Sequence, residues 1–223
     1  MSYTDQEMLR LHELKNAITE NNRQLDRNPD YSATWRDVPM LCEIETILAQ
    51  HDDLEDREDN LVLLEYLADK YGCMGRDCIA AKFWMQYVQI ACALLGEAPD
   101  EALEKELCIA VSEAAEARNG YYGVEDDCAD LLALVTPVLG AERAAERIKK
   151  GIGYVHLRVD PVEASEDYLA VIDAIEQQLD EELGTDQFMG KCYRIWSRKQ
   201  ELLEEFGIEW RSVHRLYPRI HFD

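Results

Sequence analysis

Apolar residues recur at intervals of three and four along most of this chain, and each run is closed by glycine, proline or an Asn/Asp cluster. That spacing places apolar side chains on one face of a helix, whereas a half-buried strand needs a period of two. Leu61, Leu64, Leu67, Ala68 and Tyr71 form one such face, Gly72 and Gly75 interrupt it, and 76–95 supplies a second helix stopped by Gly96. The same reading predicts helices over 5–25 (Met8, Leu11, Leu14, Ile18 and Leu25, with Thr4 or Asp5 as N-cap), 38–50, 100–118, 124–139 and 141–150. Asp160-Pro161 opens a further helix running 164–183, and Phe188, Cys192, Ile195, Leu202 and Phe206 mark a last one ending at Gly207. Val155, Leu157 and Val159 alternate, but no second strand exists to pair with them, so they are read as a helix end or extended connector. About eight helices without a sheet predict an all-α fold, antiparallel hairpins stacked in a bundle or a short helical-repeat solenoid.

Charge divides the chain differently. Of 23 basic and 46 acidic side chains, residues 187–223 hold seven of the basic (Lys191, Arg194, Arg198, Lys199, Arg211, Arg215, Arg219) and only five of the acidic. The expected organisation is an N-terminal helical segment (1–59), an acidic helical-hairpin body (60–186), and a basic, aromatic C-terminal helix and tail (187–223) packed on that body as one globular unit. A net charge of −23 disfavours DNA and anionic membrane surfaces as partners of the body, because duplex binding rests largely on Lys and Arg at phosphates. Solubility is the ordinary use of such charge; an acidic DNA mimic seated in a basic groove is a third functional reading.

Seven cysteines, at 42, 73, 78, 92, 108, 128 and 192, are odd in number and form no C-x-x-C pair, which points to reduced core thiols and to neither a disulfide framework nor a zinc ribbon. The first residues lack a charged segment followed by an apolar one, and no run of about 18 apolar residues occurs. The expected location is the cytoplasm, with no membrane partner.

Leu64, Leu67, Ala68, Tyr71, Ala80 and Trp84 fall at the spacings of the large, leucine, small, tyrosine, small and aromatic positions of one tetratricopeptide repeat. The hairpin at 64–92 thus resembles that repeat, in which small residues let two helices approach while large rings fill the gaps. The resemblance implies a scaffold whose concave face grips a peptide or partner helix, without catalysis or cofactor.

Two carboxylate pairs carry a different expectation. Glu113-x-x-Glu116 followed by Asp127-x-x-Asp130 projects acids at i and i+3, which on neighbouring helices could hold Mg²⁺ through oxygens and water. The pattern is similar to the all-α nucleoside triphosphate pyrophosphohydrolases of the MazG type, which implies Glu113, Glu116, Asp127 and Asp130 as metal ligands of a Mg²⁺-dependent hydrolase. The plain alternative is a solvated acidic face. Asp26-x-Asn28-x-Asp30, with Ser32, Thr34 and Asp37, has part of the ligand spacing of a calcium loop, but Tyr31 stands where glycine is needed, and a turn with a helix cap is the competing reading. Cys192 with His214 or His221 reads as core thiol rather than nucleophile and base.

Lys191, Arg194 and Arg198 recur at i, i+3 and i+7, a basic stripe beside Tyr193 and Trp196. Either this end docks on the acidic body, or it offers a surface to an acidic segment of another protein, which Arg can hold bidentately. The leading expectation is an interaction or regulatory module that contacts its partner through Lys191, Tyr193, Arg194, Arg198, Arg211 and Arg215.

Overall fold

A computed structural model describes residues 3–26, 35–51, 56–124, 126–153, 157–184 and 190–222. They form ten α-helices: α1 (Asp5–Asp26), α2 (Val38–Leu48), α3 (Arg57–Cys73), α4 (Asp77–Glu97), α5 (Glu101–Arg118), α6 (Ala129–Leu139), α7 (Ala141–Ile152), α8 (Glu166–Leu183), α9 (Lys191–Glu205) and α10 (Val213–Leu216). No β-strand occurs among the described residues, and helices pack on helices throughout: the fold is all-α. Leu157 and Val159 lie in an irregular connector, and Val155 lies outside the described residues.

Local chemistry sets the boundaries. Thr4 and Glu7 form a capping box, the Glu7 N–H donating to Thr4 Oγ1 (3.2 Å) and the Thr4 N–H to Glu7 Oε2 (2.7 Å). Asp100 caps α5 by accepting from Ala102 N at 2.8 Å and Leu103 N at 3.1 Å. Asp160 caps only a 3₁₀ turn over Pro161–Ala164; Ser165, extended at ψ 149°, then starts α8 by accepting from Tyr168 N. The expected start at Ala164 is therefore two residues early. α6 starts at Ala129 rather than 124 because side chains hold the preceding residues in a loop. Arg118 grips Asp126 through Nε and Nη2 (2.7 and 3.1 Å), Asn119 Oδ1 accepts from Asp126 N, and Cys128 sits at φ 52°. Pro137 is tolerated in the last turn of α6.

Contacts gather the chain into two units, one of Met1–Tyr3 with Glu45–Leu157, the other of Thr4–Ile44 with Arg158–Asp223. This division runs along other lines than the division by charge. The first unit is built around α4, which packs on α3 and α5; α5 packs in turn on α7, and α6 on α7 and α4. Leu64, Leu67, Val88, Ala91, Leu107, Val111, Leu131 and Val135 are buried there. Gly151 lets α7 approach α5: a Cβ at this position would lie 2.2 Å from the Ser112 carbonyl oxygen. α4 has the length and composition of a membrane span, with a window of mean hydropathy 1.4, yet Ala80, Phe83, Trp84, Tyr87 and Val88 are buried within the unit.

The second unit buries Tyr168, Ile172, Ile175 and Leu179 of α8 with Leu202, Leu203, Ile208 and Trp210, and Lys199 Nζ lies 5.0 Å from the Trp210 ring centroid. Leu11, Leu14 and Ile18 of α1 and Leu41 and Ile44 of α2 are buried as well, while Met8, expected on the same stripe, is exposed. Arg10 pairs with Glu43 through Nε and Nη2, and Arg36 with Asp180 at 2.7 Å. None of the seven cysteines forms a disulfide, but only Cys92, Cys108 and Cys128 are buried; Cys42 and Cys73 are exposed, which corrects their reading as core thiols. Phe206, placed on the buried stripe by periodicity, is 58% exposed because α9 ends at Glu205 and the chain turns through Gly207 at φ 74°.

Candidate functional site

The basic stripe of α9 is largely spoken for within the second unit. Lys191 is buried, its Nζ donating to Gly184 O at 2.9 Å, so it ties the start of α9 to the end of α8 and presents no ammonium to a partner. Arg198 holds Glu182 with two bonds (Nε 2.7 Å, Nη2 3.0 Å) and reaches Glu201 as well, and this pairing draws the Glu182 carboxyl down to about 2. Arg211 Nε donates to the buried Asp160 carboxylate at 2.7 Å. Arg194 and Arg215 are exposed.

An open concavity of about 490 Å³ lies beside this stripe, lined by Glu182, Leu183, Tyr193, Arg194, Ser197, Arg198 and Glu201. Tyr193 is fixed from behind: its ring meets Trp196 and His214 edge-on at 5.4 and 5.1 Å, and its hydroxyl accepts from Phe222 N. Three of the six expected contact residues, Tyr193, Arg194 and Arg198, thus share one wall. Phe222 adds a fourth aromatic group by meeting Trp196 at 5.1 Å, and Tyr217 accepts from Arg158 N; the tail is folded onto its own unit rather than held out from it.

The two carboxylate pairs do not converge. Glu113 and Glu116 line a cavity of about 260 Å³ between α5 and α7, together with Arg147 and Lys150. Asp130 pairs with Arg118 Nη1 at 2.8 Å, which draws its carboxyl below the usual range against the penalty of partial burial, and Asp127 is exposed, its Oδ1 accepting from Ala129 N. Among the described residues no three His, Cys, Asp or Glu side chains are grouped as metal ligands. Asn28, Asp30, Ser32 and Thr34 of the calcium-loop reading lie outside the described residues, and Asp37 accepts from Asn21 at 2.9 Å. Leu64, Leu67, Ala68, Tyr71, Ala80 and Trp84, the residues of the repeat resemblance, are all buried in the α3–α4 hairpin, with Tyr71 stacked on Phe83 at 5.8 Å.

The first unit also holds a cleft that the sequence reading missed. About 470 Å³ in volume, it is lined by Glu45, Leu48 and Ala49 at the end of α2, Asn60 and Leu64 of α3, and Phe83, Gln86, Gln89 and Ile90 of α4. Glu45 accepts from the Tyr71 hydroxyl, and burial pushes its carboxyl up, opposed by that bond and by the charge of Lys82. The available signal was one of position. Glu45 stands four residues after Leu41 and three before Leu48, a charged group on an apolar stripe. No protein-family model, no curated protein and no solved structure matches the chain.

Proposed function

We propose that this chain is an interaction module that holds an acidic segment of another protein in the concavity beside α9. The observation that carries the reading is the joint placement of Tyr193, Arg194, Ser197 and Arg198 on the wall of a surface depression in an otherwise acidic protein. Arg194 gives an exposed positive charge toward which a partner carboxylate is drawn, and Tyr193, locked by three neighbours, gives a rigid face at little entropic cost. Glu182 and Glu201 flank the depression and select for register, since a partner carboxylate in line with either is repelled. The buried small and large residues of the α3–α4 hairpin support a scaffold of helical-repeat character.

The test is the set of proteins that copurify with the tagged chain from its source cells. Arg194→Glu is expected to remove the partner, while Arg219→Glu, an equal charge change at another exposed position, keeps it. Retention of the full set by the Arg194 variant refutes the site.

A further inference from the structure

We infer that the cleft framed by the last turn of α2, α3 and α4 binds a small primary amine with an aromatic or branched aliphatic body, its ammonium on Glu45. This site belongs to the first unit and does not rest on the depression beside α9. At about 470 Å³ the cleft falls in the range of small-molecule sites, which are mostly apolar with a few placed polar groups. Its floor is Leu64 and Phe83, both buried, and Leu48 and Ile90 flank them half-buried, so the body of a ligand meets hydrocarbon.

The polar groups narrow the choice of headgroup. Asn60 is engaged at both ends: its Oδ1 accepts from the Tyr3 hydroxyl at 2.6 Å and its Nδ2 donates to His51 O at 2.6 Å, and it carries no charge. Gln86 and Gln89 are exposed amides and carry no charge. Among the described residues Glu45 is the single charged one lining the cleft, and its sign asks for a cation. Tyr71 already donates to Oε1, which leaves Oε2 to a ligand. One oxygen suits the point charge of an ammonium, whereas a guanidinium is best served by both. Partial burial makes the Glu45 carboxylate costly, a cost only partly opposed by the Tyr71 hydrogen bond and the charge of Lys82, and a cation brought into the cleft itself offsets more of it, which gives the amine its advantage over a neutral isostere.

The experiment is isothermal titration of the full chain at fixed ionic strength with 2-phenylethylamine, 2-phenylethanol and phenylacetate, which share a body and differ in charge. The amine is expected to bind at least about tenfold more tightly than the other two. Glu45→Gln keeps an oxygen for Tyr71 to donate to, and should weaken the amine about tenfold while leaving the alcohol unchanged. Gln86→Trp, at an exposed lining position, should block all binding without touching Glu45. Glu142→Gln on the exposed face of α7 controls for general attraction to an acidic protein. Absence of amine binding, equal binding of amine and alcohol, or equal weakening by the Glu45 and Glu142 substitutions would overturn the assignment.

Discussion

Gly151→Ala puts the contact between α5 and α7 to a quantitative test. The added Cβ would stand 2.2 Å from Ser112 O, 3.0 Å from Ser112 C and 2.9 Å from the Ala115 Cβ. Two of these atoms are backbone, so no rotamer change relieves the clash; the helices must separate by more than about 1 Å to restore ordinary contact. Separation strains the bond that Ser112 Oγ donates to Arg147 O at 3.1 Å, worth about 1 kcal/mol, and adds an overpacking cost of about 1–3 kcal/mol. Helix propensity returns about 1 kcal/mol, since alanine is favoured over glycine within a helix. The net expectation is a loss of about 1–3 kcal/mol, or roughly 3 to 10 °C in Tm for a chain of this size. Gly96→Ala is the internal reference: its Cβ meets nothing within 4 Å, so the propensity gain should appear alone as a stabilisation of up to about 1 kcal/mol. Urea unfolding followed by far-ultraviolet circular dichroism reads both, the comparison being valid where the slope m is unchanged. A Gly151→Ala protein as stable as the wild type would refute the close approach of α7 to α5.

Thiol labelling under native conditions should follow burial, with Cys42 and Cys73 reacting first and Cys92, Cys108 and Cys128 only after unfolding; burial also pushes the Cys92 and Cys128 thiols up to about 11, so alkaline pH below that value should not expose them to reagent. A fast third or fourth equivalent assigned by mass spectrometry to Cys108 or Cys128 would contradict the packing. The Glu182–Arg198 pair stabilises the fold above the ordinary carboxylate range and loses that effect as pH falls from there to about 2, because the folded carboxyl is depressed and the unfolded one is not. Melting curves of the wild type and Arg198→Met should therefore differ near neutral pH and converge at about pH 2; a constant offset would remove the pair from the explanation. Arg118→Met leaves Asp126 without its cation in a partly buried loop and Asp130 without it in the exposed first turn of α6, with an expected cost of about 1–3 kcal/mol, most of it from Asp126, and faster amide exchange over 119–124 and 126–128.

Much of the helical order was legible because each apolar face is continuous and ends at a residue that cannot prolong it. The capping of α1 by Thr4 and the stop of α4 after Gly96 follow from one or two side chains and are read directly from their order. What was not legible depends on partners distant in the chain. Lys191 looked like part of a solvent stripe because α9 alone places it there, but its depth is set by Gly184 O. Residues 124–128 looked helical because Arg118 and Asn119, on the far side of a turn, are what hold Asp126 in a loop. The two acidic pairs fit a ligand spacing, yet Asp130 answers to Arg118 while Glu113 and Glu116 face α7. The depression beside α9 was half legible: its basic and aromatic residues were visible, its acidic rim at Glu182 and Glu201 was not.

The interrupted second unit has a consequence in time. Its parts, Thr4–Ile44 and Arg158–Asp223, are separated by the whole of Glu45–Leu157, and Arg36 finds Asp180 across 144 positions. The first unit is nearly continuous, with its main contacts between helices close in order, so it can condense as it leaves the ribosome. Leu11, Leu14, Ile18, Leu41 and Ile44 are buried in the finished unit and meanwhile wait for its second part, Arg158–Asp223, to be made. At about 5–20 residues per second the 113 intervening residues alone take on the order of 6 to 23 s, long enough for a holding chaperone to bind each newborn chain. Slower elongation through Glu45–Leu157 would lengthen the interval, and the yield of folded protein should fall with it.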